Sequence, residues 1–189
     1  MTEQSPVERI KRHSRNLRGT LAESLQDPLT GLGHQRAFQD RLDHLARGGF
    51  AGTALLSVDV DHFKAVNDAG GHQAGDRVLC DLAAAMAREL RGGDDLFRVG
   101  GDEFAAVLVG ISDGQQAVDV AERIRSAAHR VGSSVSIGVA ISLGDDLDCD
   151  ELFRRADDAL YRAKRSGRDA SVLWEPPLSS DHGPIVRTR

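Results

Sequence analysis

Two carboxylates stand beside a Gly-Gly pair in "RVGGDEFAAVLV" (98–109), between two apolar runs. The glycine pair signals a hairpin, because glycine accepts the positive φ of tight primed turns. Asp102 and Glu103 are less ordinary, since carboxylates gathered at a strand end repel one another unless water or a cation screens them. A second acidic pair, Asp59 and Asp61, ends "TALLSVDVD" (53–61), which reads as a buried strand. A spacing of two puts both side chains on one face if the strand persists. Carboxylate oxygens are the donors a hard divalent cation takes, and burying them bare is expensive. A calcium loop of the EF-hand kind is not expected, because its third acidic ligand and central glycine are missing at their required positions.

"NDAGGHQAGD" (67–76) gathers Asn67, Asp68, His72 and Asp76 among three glycines. An ionised Asp can take both N–H groups on the Watson–Crick edge of guanine, whereas adenine offers an acceptor there and is repelled. Asn donates and accepts, so an Asn/Asp pair is a competent guanine reader. The same residues, taken alone, equally suit an Asp-capped start of a helix. "YRAKRSGRD" (161–169) closes a helix, with Lys164 and Arg168 four apart on one face. Cations there favour the negative end of the helix, and as a pair they would also suit a triphosphate.

The elements that must position these groups follow from periodicity. Helices are expected over 34–46, 74–91, 114–130 and 149–166, from apolar residues three and four apart. Strands are expected over 53–61, 95–99, 103–109, 133–142 and 171–174. "DPLTGLG" (27–33) reads as a turn-rich boundary. Residues 7 to 25 carry a thin apolar stripe (Ile10, Leu17, Leu21, Leu25) suited to a lead-in or pairing helix. The tail from Glu175 has the composition of disorder. Intermixed strands and helices with a central hairpin predict an α+β domain with a mixed or antiparallel sheet.

The chain of 189 residues suits one domain, and 40% hydrophobic with 28% charged residues is a globular composition. A net charge of −5 argues against nucleic acid as a partner. The N-terminus lacks the apolar segment of a secretory signal or anchor, and "FAAVLVGI" is too short to span a bilayer. No membrane partner is expected. Cys80 and Cys149 show no metal-type spacing and read as reduced thiols, so a cytoplasmic location is expected.

"RVGGDEF", preceded by "DVDHFKAVNDAGGHQAGD" and followed by "SVSIGVA" and "ADDALYRAKRSGRD", resembles the GGDEF domain of diguanylate cyclases. The resemblance runs from Asp27 to about Trp174, with an N-terminal lead-in (1–26) before it and a tail (175–189) after it. It implies a central, largely antiparallel sheet flanked by helices, like nucleotidyl cyclases and polymerase palms. It also implies condensation of two GTP into cyclic di-GMP and two pyrophosphates by a homodimer with one half-site per subunit. Metal ligation falls on Asp59, the Val60 carbonyl, Asp102 and Glu103, for two Mg²⁺ ions per site, with Mn²⁺ as an alternative. Asp102 is the general-base position and Glu103 the second choice. Asn67 and Asp76 match the guanine readers, with His72 in the same motif. Lys64, Lys164, Arg168 and the amides around Phe63 match the triphosphate positions. Arg91 and Asp94, in "RGGD" (91–94), match an inhibitory site for the product.

Three positions depart from the family pattern: His34 and Gln35 replace Asn-Arg, and Asp169 replaces Asn. They bear on domain coupling or stability more than on chemistry. No sensor domain is recognisable before residue 27. The competing expectation is a catalytically silent GGDEF module that binds cyclic di-GMP or GTP as a receptor, although no hairpin or metal position is damaged.

Overall fold

A computed structural model describes residues 25–144 and 148–176. The elements run β1 (Gly33–His34), α1 (Gln35–Ala46), β2 (Thr53–Val60), α2 (Phe63–Gly70), α3 (His72–Ala87), β3 (Asp95–Arg98) and β4 (Glu103–Val109). Then come α4 (Gly114–Arg130), β5 (Val135–Ser142), α5 (Cys149–Arg165) and β6 (Ser171–Leu173). One sheet takes the strand order β1-β3-β4-β2-β5-β6. Its inner pairings are antiparallel, and only the two edge pairings are parallel. The fold is therefore the α+β arrangement expected, a mostly antiparallel sheet with helices on both faces.

Strand β2 is central and covered on both sides, so "TALLSVDV" is buried at every position but Asp59. Ala54, Leu56, Val58 and Val60 join Leu79, Leu82 and Met86 of α3 and Ile124 of α4 in one core. Leu55 joins Phe38 and Leu42 of α1 and Leu152 and Ala156 of α5 in the other. Each large apolar side chain so buried contributes about 1.5–3 kcal/mol, which leaves the strand ends free for polar groups.

Helix α5 carries Lys164, so its placement matters most for the site. Asp148 caps it by accepting the Glu151 N–H at 2.8 Å, and Leu152, Ala156, Ala159 and Ala163 form its buried face. It lies close to β5 at Gly138, where a Cβ would run into the Ala156 carbonyl and the Leu160 amide. Only glycine lets the helix approach so near.

Several boundaries differ from expectation. Strand 53–61 stops at Val60, leaving Asp61 in the following turn. The helix expected over 74–91 is Phe-free α3, His72–Ala87, capped by Arg88, so Arg91 lies beyond it. The helix expected over 34–46 starts at Gln35, because the His34 Nδ1 accepts the Arg36 N–H at 2.9 Å as an N-cap. Helix α2 and strand β1 were not anticipated: each is too short to show a period. The helix expected over 7–25 and the tail from Glu175 lie outside the described residues, save Leu25, Glu175 and Pro176. Among the described residues, no helix is long and apolar enough to cross a membrane.

Candidate active site

Asp59 stands directly opposite Glu103 across β2 and β4, and opposite Ser136 on β5. Two like charges so paired are unfavourable. The Asp59 side chain is only 14% exposed, and Lys164 reaches over from α5 to place Nζ 2.6 Å from its Oδ2. Burial raises the Asp59 pKa; Lys164 pulls it back, while Asp102 and Asp61 add to the rise. A carboxylate whose charged form is penalised in this way gains from a cation beside it. The Val60 N–H donates to the Asp102 carbonyl at 3.1 Å, tying the hairpin to the end of β2. The donor chemistry of Asp59, Asp102, Glu103 and the Val60 carbonyl fits a hard divalent ion. Among the described residues no three His, Cys, Asp or Glu side chains converge into a finished cage. Lys164 stands against Asp59, and the Glu103 carboxylate lies over Gly100.

That position of Glu103 explains one glycine of the hairpin differently from expectation. Neither Gly100 nor Gly101 has a positive φ, so the bend is not a primed turn. Instead the N–H groups of Val99 and Gly100 both donate to the Glu103 carbonyl, at 3.0 and 3.2 Å. A Cβ at Gly100 would run into the Glu103 carboxylate, whereas one at Gly101 would meet nothing within 4 Å. Gly100 is small so that Glu103 can fold back.

Arg98 braces the same bend. Its Nε and Nη2 donate to the Gly101 carbonyl at 3.2 and 2.7 Å, and its Nη1 donates to Asp27 Oδ1 at 3.0 Å. Asp27 also accepts the Thr30 N–H at 2.8 Å and its hydroxyl at 2.7 Å. Burial would raise the Asp27 pKa, but the bonds from Thr30 and Arg98 outweigh it and hold the pKa below the usual value. "DPLTGLG" is thus more than a boundary. Its loop was legible in the sequence; its partner, 71 residues away, was not.

Beyond the end of β2 the chain turns at His62 (φ 56°) into α2, with no side-chain cap. The Ala65 N–H donates to the His62 carbonyl at 2.8 Å, leaving the Phe63 and Lys64 amides at the helix N-terminus, where anions are favoured. Asn67 lies half-buried in the last turn of α2. Gly75 of α3 lies beneath it: a Cβ there would run into Asn67 Oδ1 and come within 3.0 Å of the Phe63 ring. His72, the first residue of α3, and Asp76 are both exposed. The N-cap of α3 is Gly71, without a side-chain cap, so Asp76 does not cap the helix. Asp59, Val60, Asp102, Glu103 and Lys164 thus meet at one strand end, and Phe63, Lys64, Asn67 and Asp76 sit on the helix pair that follows. Arg168 is past the end of α5, exposed, at φ 65°; it does not share a helix face with Lys164.

Arg91 and Asp94 occupy the opposite end of the hairpin. Asp94 accepts the Val109 N–H at 3.2 Å and the Arg91 N–H at 3.3 Å, and Arg91 Nη2 donates to the Val109 carbonyl at 2.5 Å. The Asp94 side chain is buried and that of Arg91 is exposed, beside a cavity of about 290 Å³ that Gln116, Asp119 and Arg123 also line. Their closeness to Gly100 in sequence is misleading, because the strand from Glu103 to Val109 spans roughly 20 Å. A larger cleft of about 530 Å³ lies between α1 and α5, lined by Phe38, Phe153, Asp157 and Glu103 among others. It touches the site only at Glu103 and leaves Asn67 and Asp76 outside. Periodicity placed Phe38 on its helix, but the pairing of two helices remote in sequence carried no local signal.

Residues 24–170 match the family described as "Diguanylate cyclase, GGDEF domain". The chain is 41% identical over 160 residues to diguanylate cyclase DgcP of Pseudomonas aeruginosa, covering 77% of this chain and 23% of that protein. It is 42% identical over 154 residues to diguanylate cyclase DgcM of Escherichia coli, covering 76% of this chain and 37% of that protein. The chain thus spans well under half the length of these relatives. Among solved structures, the coiled coil and GGDEF domain of DgcB from Caulobacter crescentus, in complex with c-di-GMP, superposes with a TM-score of 0.80 at 28% identity. That match covers 88% of this chain and 94% of that one. Matched by that family over most of its length and by these relatives at 41% and 42% identity, this chain belongs to the GGDEF-domain family of diguanylate cyclases.

Proposed function

We propose that the domain condenses two GTP into cyclic di-GMP and two pyrophosphates, with one GTP held on each of two facing domains. The observation that carries this reading is the register that sets Asp59 against Glu103 beside Lys164, immediately before the open N-terminus of α2. Its support beyond geometry is 41% and 42% identity to relatives named diguanylate cyclases.

In each half-reaction a 3′-hydroxyl oxygen attacks the α-phosphorus of the facing GTP, the bond from that phosphorus to the bridging oxygen breaks, and pyrophosphate leaves. Repeating the step in the other direction closes the ring. Asp102 takes the hydroxyl proton, with Glu103 as the second candidate. Asn67 and Asp76 read the guanine edge, with His72 beside them, and Gly75 gives Asn67 its place. Lys64, Lys164, Arg168 and the amides of α2 hold the triphosphate, spreading its charge over donors fixed before the reaction. Asp59, the Val60 carbonyl, Asp102 and Glu103 would hold Mg²⁺ or Mn²⁺, two ions per site, which when bound neutralise phosphate charge and lower the hydroxyl pKa. Arg91 and Asp94 hold the product as an inhibitor; the relative DgcB is solved in complex with c-di-GMP.

The purified protein, given GTP and Mg²⁺, should release cyclic di-GMP and pyrophosphate. Asp59→Asn and Glu103→Gln should each remove most of that activity while circular dichroism and melting stay near wild type. Wild-type turnover in either variant would overturn the ligand assignment. No product from the wild-type chain would overturn the function.

A further inference from the structure

The chain leaves α5 through three successive residues at positive φ: Gly167 at 120°, Arg168 at 65° and Asp169 at 45°. Glycine adopts that region freely; Arg and Asp do so at a cost, and they persist there only where the surroundings over-determine the backbone. Here the surroundings are specific. The Asp169 N–H donates to Asp61 Oδ2 at 3.0 Å. The Asp169 carboxylate takes Arg125 Nη1 at 3.0 Å and His129 Nε2 at 2.7 Å, both from α4. Arg125 is itself held by Glu122 at 2.8 Å.

Asp61 is the anchor of this arrangement. It is 6% exposed, and its other oxygen accepts the Ser136 hydroxyl of β5 at 2.7 Å. Its N–H donates to the Ser134 carbonyl at 3.0 Å. The expectation that Asp61 faces a cation alongside Asp59 is therefore corrected: both of its oxygens are committed elsewhere. The position that departs from the family pattern, Asp169 in place of Asn, is the one whose negative charge pairs with Arg125.

We infer that Asp61 and Asp169 are positioning residues for the triphosphate, fixing the Gly167–Asp169 turn to the end of β2 so that Arg168 stands at a set place relative to Asp59. The inference rests on the reading of Arg168 as a triphosphate ligand. Asp61 follows Asp59 by two residues and Asp169 follows Arg168 directly, so the bond from the Asp169 N–H to the Asp61 carboxylate links the end of the metal-ligand strand to the phosphate-holding turn. A merely stabilising role would lower the melting temperature without caring whether Arg168 is present. A positioning role acts through Arg168 and vanishes with it.

The test is a pair of double-mutant cycles in GTP affinity, by calorimetry, and in KM and kcat, crossing Arg168→Ala with Asp61→Ala and with Asp169→Ala. Asp61→Ala removes the acceptor of the Asp169 N–H, and Asp169→Ala removes the carboxylate that Arg125 and His129 hold. Arg168→Ala, Asp61→Ala and Asp169→Ala should each weaken GTP binding and raise KM by about tenfold, with kcat changed less. Neither double variant should be worse than Arg168→Ala alone. Asp61→Asn and Asp169→Asn each keep one acceptor oxygen, so each should lie between wild type and its alanine variant; they also serve the cycles if an alanine variant fails to fold. The same loss from Asp61→Ala and Asp169→Ala in both backgrounds, or no loss in either, would overturn the inference and leave the triphosphate reading intact. An unchanged GTP affinity in Arg168→Ala would overturn that reading, and the inference with it.

Discussion

Asn67 is held over Gly75 by the absence of a side chain there, and this contact makes the guanine-reading proposal testable at single residues. Gly75→Ala would push Asn67 aside while removing no polar group, so the GTP requirement should rise with melting little changed. Asp76→Ala removes a pair of charge-assisted bonds to guanine, each of about 1.5–3 kcal/mol. The GTP requirement should therefore rise more than tenfold, and discrimination against ATP should weaken. Kinetics with both nucleotides check this, and an unchanged GTP dependence in Asp76→Ala would remove Asp76 from the guanine site. At this scale Asp59 and Glu103 were legible because carboxylates at the ends of apolar runs stand out. Asp61 was legible as an acid but not as an anchor. Its role depends on the strand ending one residue earlier, and on Asp169, 108 residues away.

Among elements, the hairpin is positioned by the brace from Asp27 through Arg98, whose side chains are mostly buried. The native pKa of Asp27 lies below its ordinary 3.8, so the unfolded chain binds the proton more readily. The resulting stability is fully present above the ordinary value and is lost as pH falls through the native one. Asp27→Asn should cost about 1.5–3 kcal/mol at neutral pH, and its deficit against wild type should shrink in acid. Denaturant unfolding at neutral and acid pH measures both, and a gap independent of pH would assign the loss to packing instead. The strands of this hairpin were readable from apolar runs around two glycines, although the reason for Gly100 was not. Glycine is used there for the space beside Glu103, and a sequence does not distinguish space from φ. Helix α2 was missed because "FKAVNDAG" is eight residues long and buries none of them fully, so it has no apolar face to read.

Over the whole molecule, the proposed product site and the candidate active site lie at opposite ends of one hairpin. Bound product at Arg91 therefore has no direct contact with Glu103, and feedback would act by holding two domains where their half-sites cannot meet. A difference of ~1–3 kcal/mol between the two arrangements is enough. Wild-type turnover should slow as product accumulates, and Arg91→Ala should relieve this. Calorimetric titration with cyclic di-GMP decides it, since equal binding by both proteins, or by neither, would remove the regulatory role and leave the catalytic one. The central claim is that one domain holds half of the reacting pair. Its most direct test is the rate of cyclic di-GMP formation from GTP and Mg²⁺ per mole of protein, measured across protein concentration. This specific activity should climb with concentration as domains pair, then level off. The same specific activity at every concentration, or GTP that binds but is never consumed, would contradict it.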